Sequence, residues 1–234
     1  MRSLIRGAWL RRIAALRGAL VWLPLLSFST IALSLLGFAE IADGIGRNDN
    51  LHVLDRAVAA ALQPHVSSTV ATLFAAVTLL GAGATLAVLG VIVSIVLIAK
   101  RRLIELYAWI LALAGSGLLN VTLKGWFMRD RPGDTPLLAS WSFPSAHAMN
   151  SLVAYGMLMY VVYRLGARGW MPAAIAITGT IVLLVGASRV VLGFHYFTDV
   201  LGGFMAGLAW LTVCVTMSEA GLRRQKRKRV TPEA

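Results

Sequence analysis

Cysteine is almost missing from this chain. Cys214 is the single one in 234 residues, so no disulfide framework holds the fold. It lies inside an apolar run, where a free thiol acts as a small core residue. Charge is scarce as well. Asp, Glu, Lys and Arg together make up 14% of the sequence, against about 25% in a typical soluble domain. That shortage comes from apolar runs too long for soluble core helices, and it excludes an ordinary soluble domain. No Walker loop is present, which counts against an ATP-driven pump. No G-x-S-x-G elbow marks a serine hydrolase, and no internal repeat is visible.

Apolar length is what the chain has in abundance: 58% of its residues are hydrophobic. One bilayer crossing takes roughly 20 apolar residues, and ALVWLPLLSFSTIALSLLGFA at 19–39 meets that length without a charge. Six such spans are predicted, near 19–39, 70–99, 103–123, 148–165, 172–190 and 199–218. The first exceeds the ~7–15 residues of a signal-peptide core, so it is read as a retained span. The expected fold class is therefore all-α, a six-span transmembrane helix bundle over 19–218. A basic segment at 1–18 precedes it and a basic tail at 219–234 follows. Between the first two spans, DNLHVLDRAVAAALQ (49–63) repeats Leu51, Leu54, Val58, Ala61 and Leu62 at helical spacing. That pattern predicts an amphipathic helix lying on the membrane surface. GFMAG at 203–207 has the small-residue spacing of helix packing.

Acidic residues are the rarer sign of charge, 10 against 22 Lys and Arg, for a formal net charge of +12. Nucleic acid is not the expected partner, because the cations gather at the ends of apolar runs. Sixteen of the 22 fall before span one, between spans two and three, between spans four and five, and after span six. With six spans these four segments share one side, which the positive-inside rule makes cytoplasmic. Both termini are then cytoplasmic, and the tail is placed to touch anionic headgroups. Lys124, Arg129, Arg131 and Arg189 break the pattern by lying toward the outer side. A cation at membrane depth costs about 2.5–3.5 kcal/mol, so these four are functional candidates.

Three polar groups fall at the outer ends of spans three to six: KGWFMRDRP (124–132), PSAH (144–147) and SRVVLGFHYFTD (188–199). Lys124, Arg131 and Arg189 supply three positive charges, and arginine forks match phosphate oxygens bidentately. Ser145 adds a hydroxyl. A helix starting at Ala146 and His147 would offer unpaired N–H groups to an anion, with Pro144 just before it. The set describes a phosphate-sized anion site. His195 and Asp199 are four apart and share a helix face if span six starts early. The carboxylate can hold one imidazole nitrogen and leave the other as a nucleophile, while His147 protonates the leaving oxygen. A metal held by His147, His195 and Asp199 is disfavoured, because three neighbouring cations would repel it.

In order and spacing these residues resemble the membrane branch of the type 2 phosphatidic acid phosphatase superfamily, which also includes vanadium haloperoxidases. Its signature runs K-x6-RP, then PSGH, then SR-x5-H-x3-D. Here it reads Lys124-x6-Arg131-Pro132, Pro144-Ser145-Ala146-His147, and Ser188-Arg189-x5-His195-x3-Asp199. The resemblance implies phosphoryl transfer to water without metal or cofactor. His195 would form a phosphohistidine with Asp199 assisting, and His147 would act as acid. Lys124, Arg131, Ser145, Ala146 and Arg189 would hold the phosphate. Ala146 replaces the usual glycine, which is harmless if that position is helical. The expected substrate is a membrane lipid carrying a terminal phosphate or diphosphate, met at the outer face of a bacterial inner membrane. Polyprenyl diphosphate is placed ahead of phosphatidylglycerophosphate and phosphatidate, with Arg129 as a fourth cation for the second phosphate. Transfer to an acceptor such as lipid A is the rival reaction, and a non-catalytic lipid-binding scaffold is the alternative of another class.

Overall fold

A computed structural model describes residues 2–47, 50–133 and 140–230, and all regular structure among them is helical. Eight α-helices follow one another: α1 (Arg2–Gly46), α2 (Asn50–Leu62), α3 (Ser68–Thr78), α4 (Gly83–Ala99), α5 (Leu103–Phe127), α6 (Ala146–Arg164), α7 (Met171–Val191) and α8 (Phe197–Val230). The expected basic segment 1–18 is helical from Arg2, and the last four residues of the expected tail lie outside the described residues. The chain is an all-α membrane protein, as its apolar runs require. Its outer faces carry Phe28, Leu33, Leu36, Val88, Ile95, Leu118, Val121 and Leu183, each more than half exposed. Such continuous apolar surface suits lipid and not water.

The interior is built where α4, α5, α6 and α8 meet. Leu97, Trp109, Ala112, Val153, Met157 and Cys214 are fully or almost fully buried there. Cys214 is thus the core residue its position in an apolar run suggested. On α5 the buried positions Glu105, Trp109, Ala112, Ser116, Asn120 and Lys124 recur every three or four residues, as one face of a helix requires. That stripe is apolar in its middle and charged at both ends. Its lower end is tied by Arg164, which reaches Glu105 at 3.7 Å and Glu219 at 3.1 Å. Its upper end is the Lys124 site.

GFMAG performs the packing role its spacing implied. A Cβ on Gly203 would lie 2.7 Å from the Ser145 carbonyl oxygen, and one on Gly207 would lie 3.0 Å from that of Met149. Helices α6 and α8 therefore touch backbone to backbone.

Two expectations are corrected. The stretch 70–99 is not one span. It breaks after Thr78 into a short 3-10 turn at Leu79–Gly81 and an extended Ala82, φ −67° and ψ 143°, before α4 begins. Hydropathy cannot register this break, because every residue through it is apolar or small. Its cause is contact: Gly81 lies against Val185 of α7 and the His147 ring of α6, with no room for a side chain. The second correction concerns α2. Its inward face carries Leu51, Asp55, Val58 and Leu62, whereas Leu54 and Ala61 are exposed. The helix is rotated from the purely apolar stripe because a buried carboxylate, Asp55, claims the inner side.

By length and apolarity four helices among the described residues can cross a bilayer: Pro24–Gly46, Leu103–Phe127, Met171–Val191 and Phe197–Lys228. Helix α4 is shorter and apolar, and α2 and α3 form a sharply bent pair at 119°. Helix α6 is missing from the four because its first turns carry the polar groups of the site.

Candidate active site

The site is assembled at one end of the bundle from four helix ends and the links between them. Helix α5 stops at Met128, whose left-handed backbone (φ 42°) closes the helix onto the Lys124 carbonyl at 3.0 Å. Lys124 projects from that last turn, and its ammonium donates to the carbonyls of Trp141 and Ser142, the latter at 3.1 Å. Arg131 ties the same link from its other side. Its Nε donates to the Ser140 carbonyl at 2.8 Å, and its Nη2 donates to Ser140 Oγ at 2.9 Å.

Helix α6 starts at Ala146, with Ser145 as the residue before it. Ala146 is helical and has no positive φ, so its methyl group is no obstacle. The amides of Ala146, His147 and Ala148 precede the first intrahelical bond, Met149 N–H to the Ser145 carbonyl at 3.0 Å. They remain available to an anion. Ser145 Oγ and Arg189 Nε are buried without a hydrogen-bond partner, so each keeps a proton to offer. Such orphaned donors are rare in folded proteins and call for a ligand.

The link from α7 to α8 delivers His195. Gly193 (φ 70°) reverses the chain, and the amides of Phe194 and His195 both return to the Arg189 carbonyl, at 3.0 and 3.1 Å. That hook sets His195 beside Arg189. The Arg189 guanidinium stacks 4.6 Å over the Phe194 ring and donates to Thr78 Oγ1 at 2.8 Å. Thr78 stands at the break between α3 and α4, so the unexpected break also serves the site.

His195 is 3% exposed. Its Nδ1 lies 3.2 Å from Asp199 Oδ2, and its Nε2 lies 3.2 Å from Arg131 Nη1. A guanidinium can only donate, so Nε2 presents its lone pair and Nδ1 carries the proton toward Asp199. Burial holds the imidazolium far below its ordinary range, at about 4, against the opposing pull of Asp199. The ring is therefore neutral at physiological pH, with its Nε2 lone pair turned toward Arg131. Lys124, Arg131, Arg189 and His195 all lie within electrostatic range of His147. Contacts and electrostatics thus bring Lys124, Arg131, His147, Arg189, His195 and Asp199 together, with Ser145 and Ala146 directly before His147 in the chain.

Four contributors were not foreseen in their roles. Ser142 donates to Asp199 Oδ2, and the Tyr196 amide donates to the same oxygen at 2.9 Å. Asp55 of α2 and Thr198 of α8 hold Arg129. The expectation that Arg129 supplies a fourth cation for substrate is corrected: Asp55 binds it at 2.8 Å and Asp199 at 2.6 Å, and it is 7% exposed. The one available signal was Asp55 itself, an acid in register with Leu51, Val58 and Leu62 on a helix face that should be apolar. Among the described residues no group of three His, Cys, Asp or Glu side chains is arranged to hold a metal ion.

Comparison with known proteins gives the family. Residues 105–222 match the PAP2 superfamily. Phosphatidylglycerophosphatase B of Bacillus subtilis (strain 168) is 40% identical over 138 residues, which are 56% of this chain and 67% of that protein. The crystal structure of a transmembrane PAP2-type phosphatidylglycerolphosphate phosphatase from Bacillus subtilis superposes with a TM-score of 0.74 at 31% identity, covering 82% of this chain and 96% of the other. That of Aquifex aeolicus LpxE gives 0.54 at 22% identity, over 71% and 95%, a likeness of fold alone. The chain belongs to the PAP2 superfamily, in its branch of membrane lipid phosphatases.

Proposed function

We propose that this phosphatase removes the terminal phosphate of phosphatidylglycerophosphate, through a phosphohistidine on His195 and without a metal. The observation that carries the reading is the His195 geometry: a proton fixed on Nδ1 by Asp199 and a lone pair on Nε2 facing Arg131, with Lys124 within electrostatic range. Nε2 attacks phosphorus, and Lys124, Arg131, Arg189, Ser145 and the first amides of α6 take up the charge that develops on the phosphoryl oxygens. His147 protonates the departing lipid oxygen, and water then releases phosphate from His195. Cations do here what a divalent ion does in other phosphatases, which supports metal independence.

The order of substrates differs from the sequence expectation. With Arg129 committed to two carboxylates, three cations remain, and the argument for a second phosphate loses its fourth charge. Both Bacillus relatives are named for phosphatidylglycerophosphate. Polyprenyl diphosphate stays as the second reading, since three cations still exceed what one monoester needs. The test is purified protein in matched micelles with phosphatidylglycerophosphate, undecaprenyl diphosphate and phosphatidate. Each is assayed with and without EDTA, vanadate and a lipid acceptor. A kcat/KM at least tenfold higher for phosphatidylglycerophosphate, about 1.4 kcal/mol, is expected, unaffected by EDTA and suppressed by vanadate. A tenfold preference for the diphosphate reverses the order. Loss with EDTA, restored by a divalent ion, ends metal independence, and phosphate appearing on the acceptor makes the protein a transferase.

We further infer six crossings in a bacterial cytoplasmic membrane, by α1, α4, α5, α6, α7 and α8, with α2 and α3 as an outer cap. This layout puts the ends that build the site on the outer face and Lys100, Arg101 and Arg102 inside with both termini. Single cysteines in a Cys214→Ser background check it. Position 134, which lies outside the described residues, should react with an impermeant thiol reagent in intact cells, and position 101 only after lysis. The reverse pattern inverts the topology.

A further inference from the structure

Behind His195 lies a buried ion triad in which Asp199 belongs to the third motif, whereas Asp55 and Arg129 are not signature residues. Asp55 comes from α2, Arg129 from just beyond α5, and Asp199 from α8. Their side chains are 1%, 5% and 0% exposed. Arg129 Nη2 donates to Asp55 Oδ2 at 2.8 Å, and its Nη1 donates to Asp199 Oδ1 at 2.6 Å. The same Nη1 donates to Thr198 Oγ1 at 2.8 Å, and that hydroxyl in turn donates to Asp55 Oδ2 at 2.7 Å. Asp55 Oδ1 accepts the Thr198 amide at 2.9 Å, one of the N–H groups that the start of α8 leaves without a helical partner. The Arg129 guanidinium also lies 4.2 Å from the centre of the Tyr196 ring.

The structure assigns Asp55 and Arg129 as positioning residues for the nucleophile. They fix Asp199 through its Oδ1, so that its Oδ2 is left to orient His195. The inference rests on the phosphohistidine reading above. Division of labour on one carboxylate supports it. Oδ2 receives Ser142, the Tyr196 amide and Nδ1 of His195, while Oδ1 is held by Arg129. A carboxylate held at one oxygen only could swing and release the imidazole. Neither Asp55 nor Arg129 hydrogen-bonds Lys124, His147 or Arg189, so both act through Asp199. A packing role explains the triad poorly, because buried ion pairs add little net stability over apolar residues of equal volume.

Charge makes the assignment testable. The triad carries a net charge of −1. Arg129→Gln leaves two buried carboxylates facing each other at −2, and Asp55→Asn keeps the shape and carries 0. The double variant returns to −1 with Asp199 alone. Steady-state rates with phosphatidylglycerophosphate and with p-nitrophenyl phosphate, plus melting temperatures in detergent, are measured for all three beside wild type and His195→Ala. Arg129→Gln should lose about 100-fold in kcat with KM within threefold. Asp55→Asn should lose about tenfold in the same way. The double variant should recover at least tenfold over Arg129→Gln, as coupled sites do. A double variant no better than Arg129→Gln, or losses confined to KM, overturns the inference. If Arg129→Gln melts far below wild type, Asp55→Asn decides alone: wild-type kcat in that variant overturns the assignment. A wild-type protein that releases no phosphate, or a His195→Ala as active as wild type, instead sinks the underlying phosphatase reading.

Discussion

His195→Ala should abolish the phosphoenzyme. Rapid quench with radiolabelled lipid phosphate should trap an acid-labile, base-stable adduct on the wild type and none on the variant, with turnover down roughly 10⁴-fold or more. The expectation follows from the His195 ring, whose Nδ1 faces Asp199 and whose Nε2 faces Arg131. Among the described residues it is the imidazole of the site that a carboxylate holds. The pH dependence follows from the same geometry. The attacking form is neutral, and burial places its protonation near 4. The wild-type kcat/KM should therefore hold as pH falls through the ordinary histidine range and be lost only as pH approaches about 4, once the substrate's own ionisation is taken into account. An acid limb between 6 and 7 that belongs to the enzyme would mean an open, solvated imidazole and a different nucleophile. Equal adduct in the variant would reassign the covalent step outright.

His147→Ala should split substrates by their leaving groups. With a lipid monoester the departing alkoxide needs a proton, and loss of the general acid should cost about 10²–10⁴-fold in kcat. With p-nitrophenyl phosphate the leaving group departs as a stable anion, and the cost should fall below tenfold. The placement behind this is specific. His147 occupies the second position of α6, two residues after Ser145 with its orphaned hydroxyl, and its ring lies against the Gly81 turn across from α7. It is thus carried by α6, whereas His195 sits in the link between α7 and α8. Equal losses with both substrates would turn His147 into a phosphate-holding residue.

The legible part of this molecule was the part written in local spacing. Apolar runs gave the helices, and three short motifs gave Lys124, Arg131, His147, Arg189, His195 and Asp199, which the fold brings together. Ala146 could be judged safe because a helix start has ordinary dihedral angles. What stayed hidden depends on contacts between distant segments. The break at Leu79–Gly81 arises from the fit of Gly81 against α6 and α7, which no window of hydropathy can contain. Asp55 reads as a solvated acid on a surface helix until α8 supplies an unpaired amide and Arg129 a counter-charge. Ser142 and Thr198 are hydroxyls, common enough that only their partners give them meaning. Arg129 was noticed for its charge, yet its role followed from two carboxylates that lie far from it in sequence.

The contact of Gly203 with the Ser145 carbonyl, 2.7 Å from where a Cβ would stand, has a bearing on how the chemistry is gauged. His147 rides on α6 and His195 on the approach to α8, and at this point those two helices meet with no side chain between them. Backbone is the stiffest spacer a protein owns: it has no rotamers to flip and no methylenes to compress. The interval between the two imidazoles is thus cut to length by main-chain atoms, further secured where the Ser145 amide meets the Asp199 carbonyl at 3.0 Å. Changes in bilayer thickness should therefore alter the spacing of α6 and α8 least at this glycine seam.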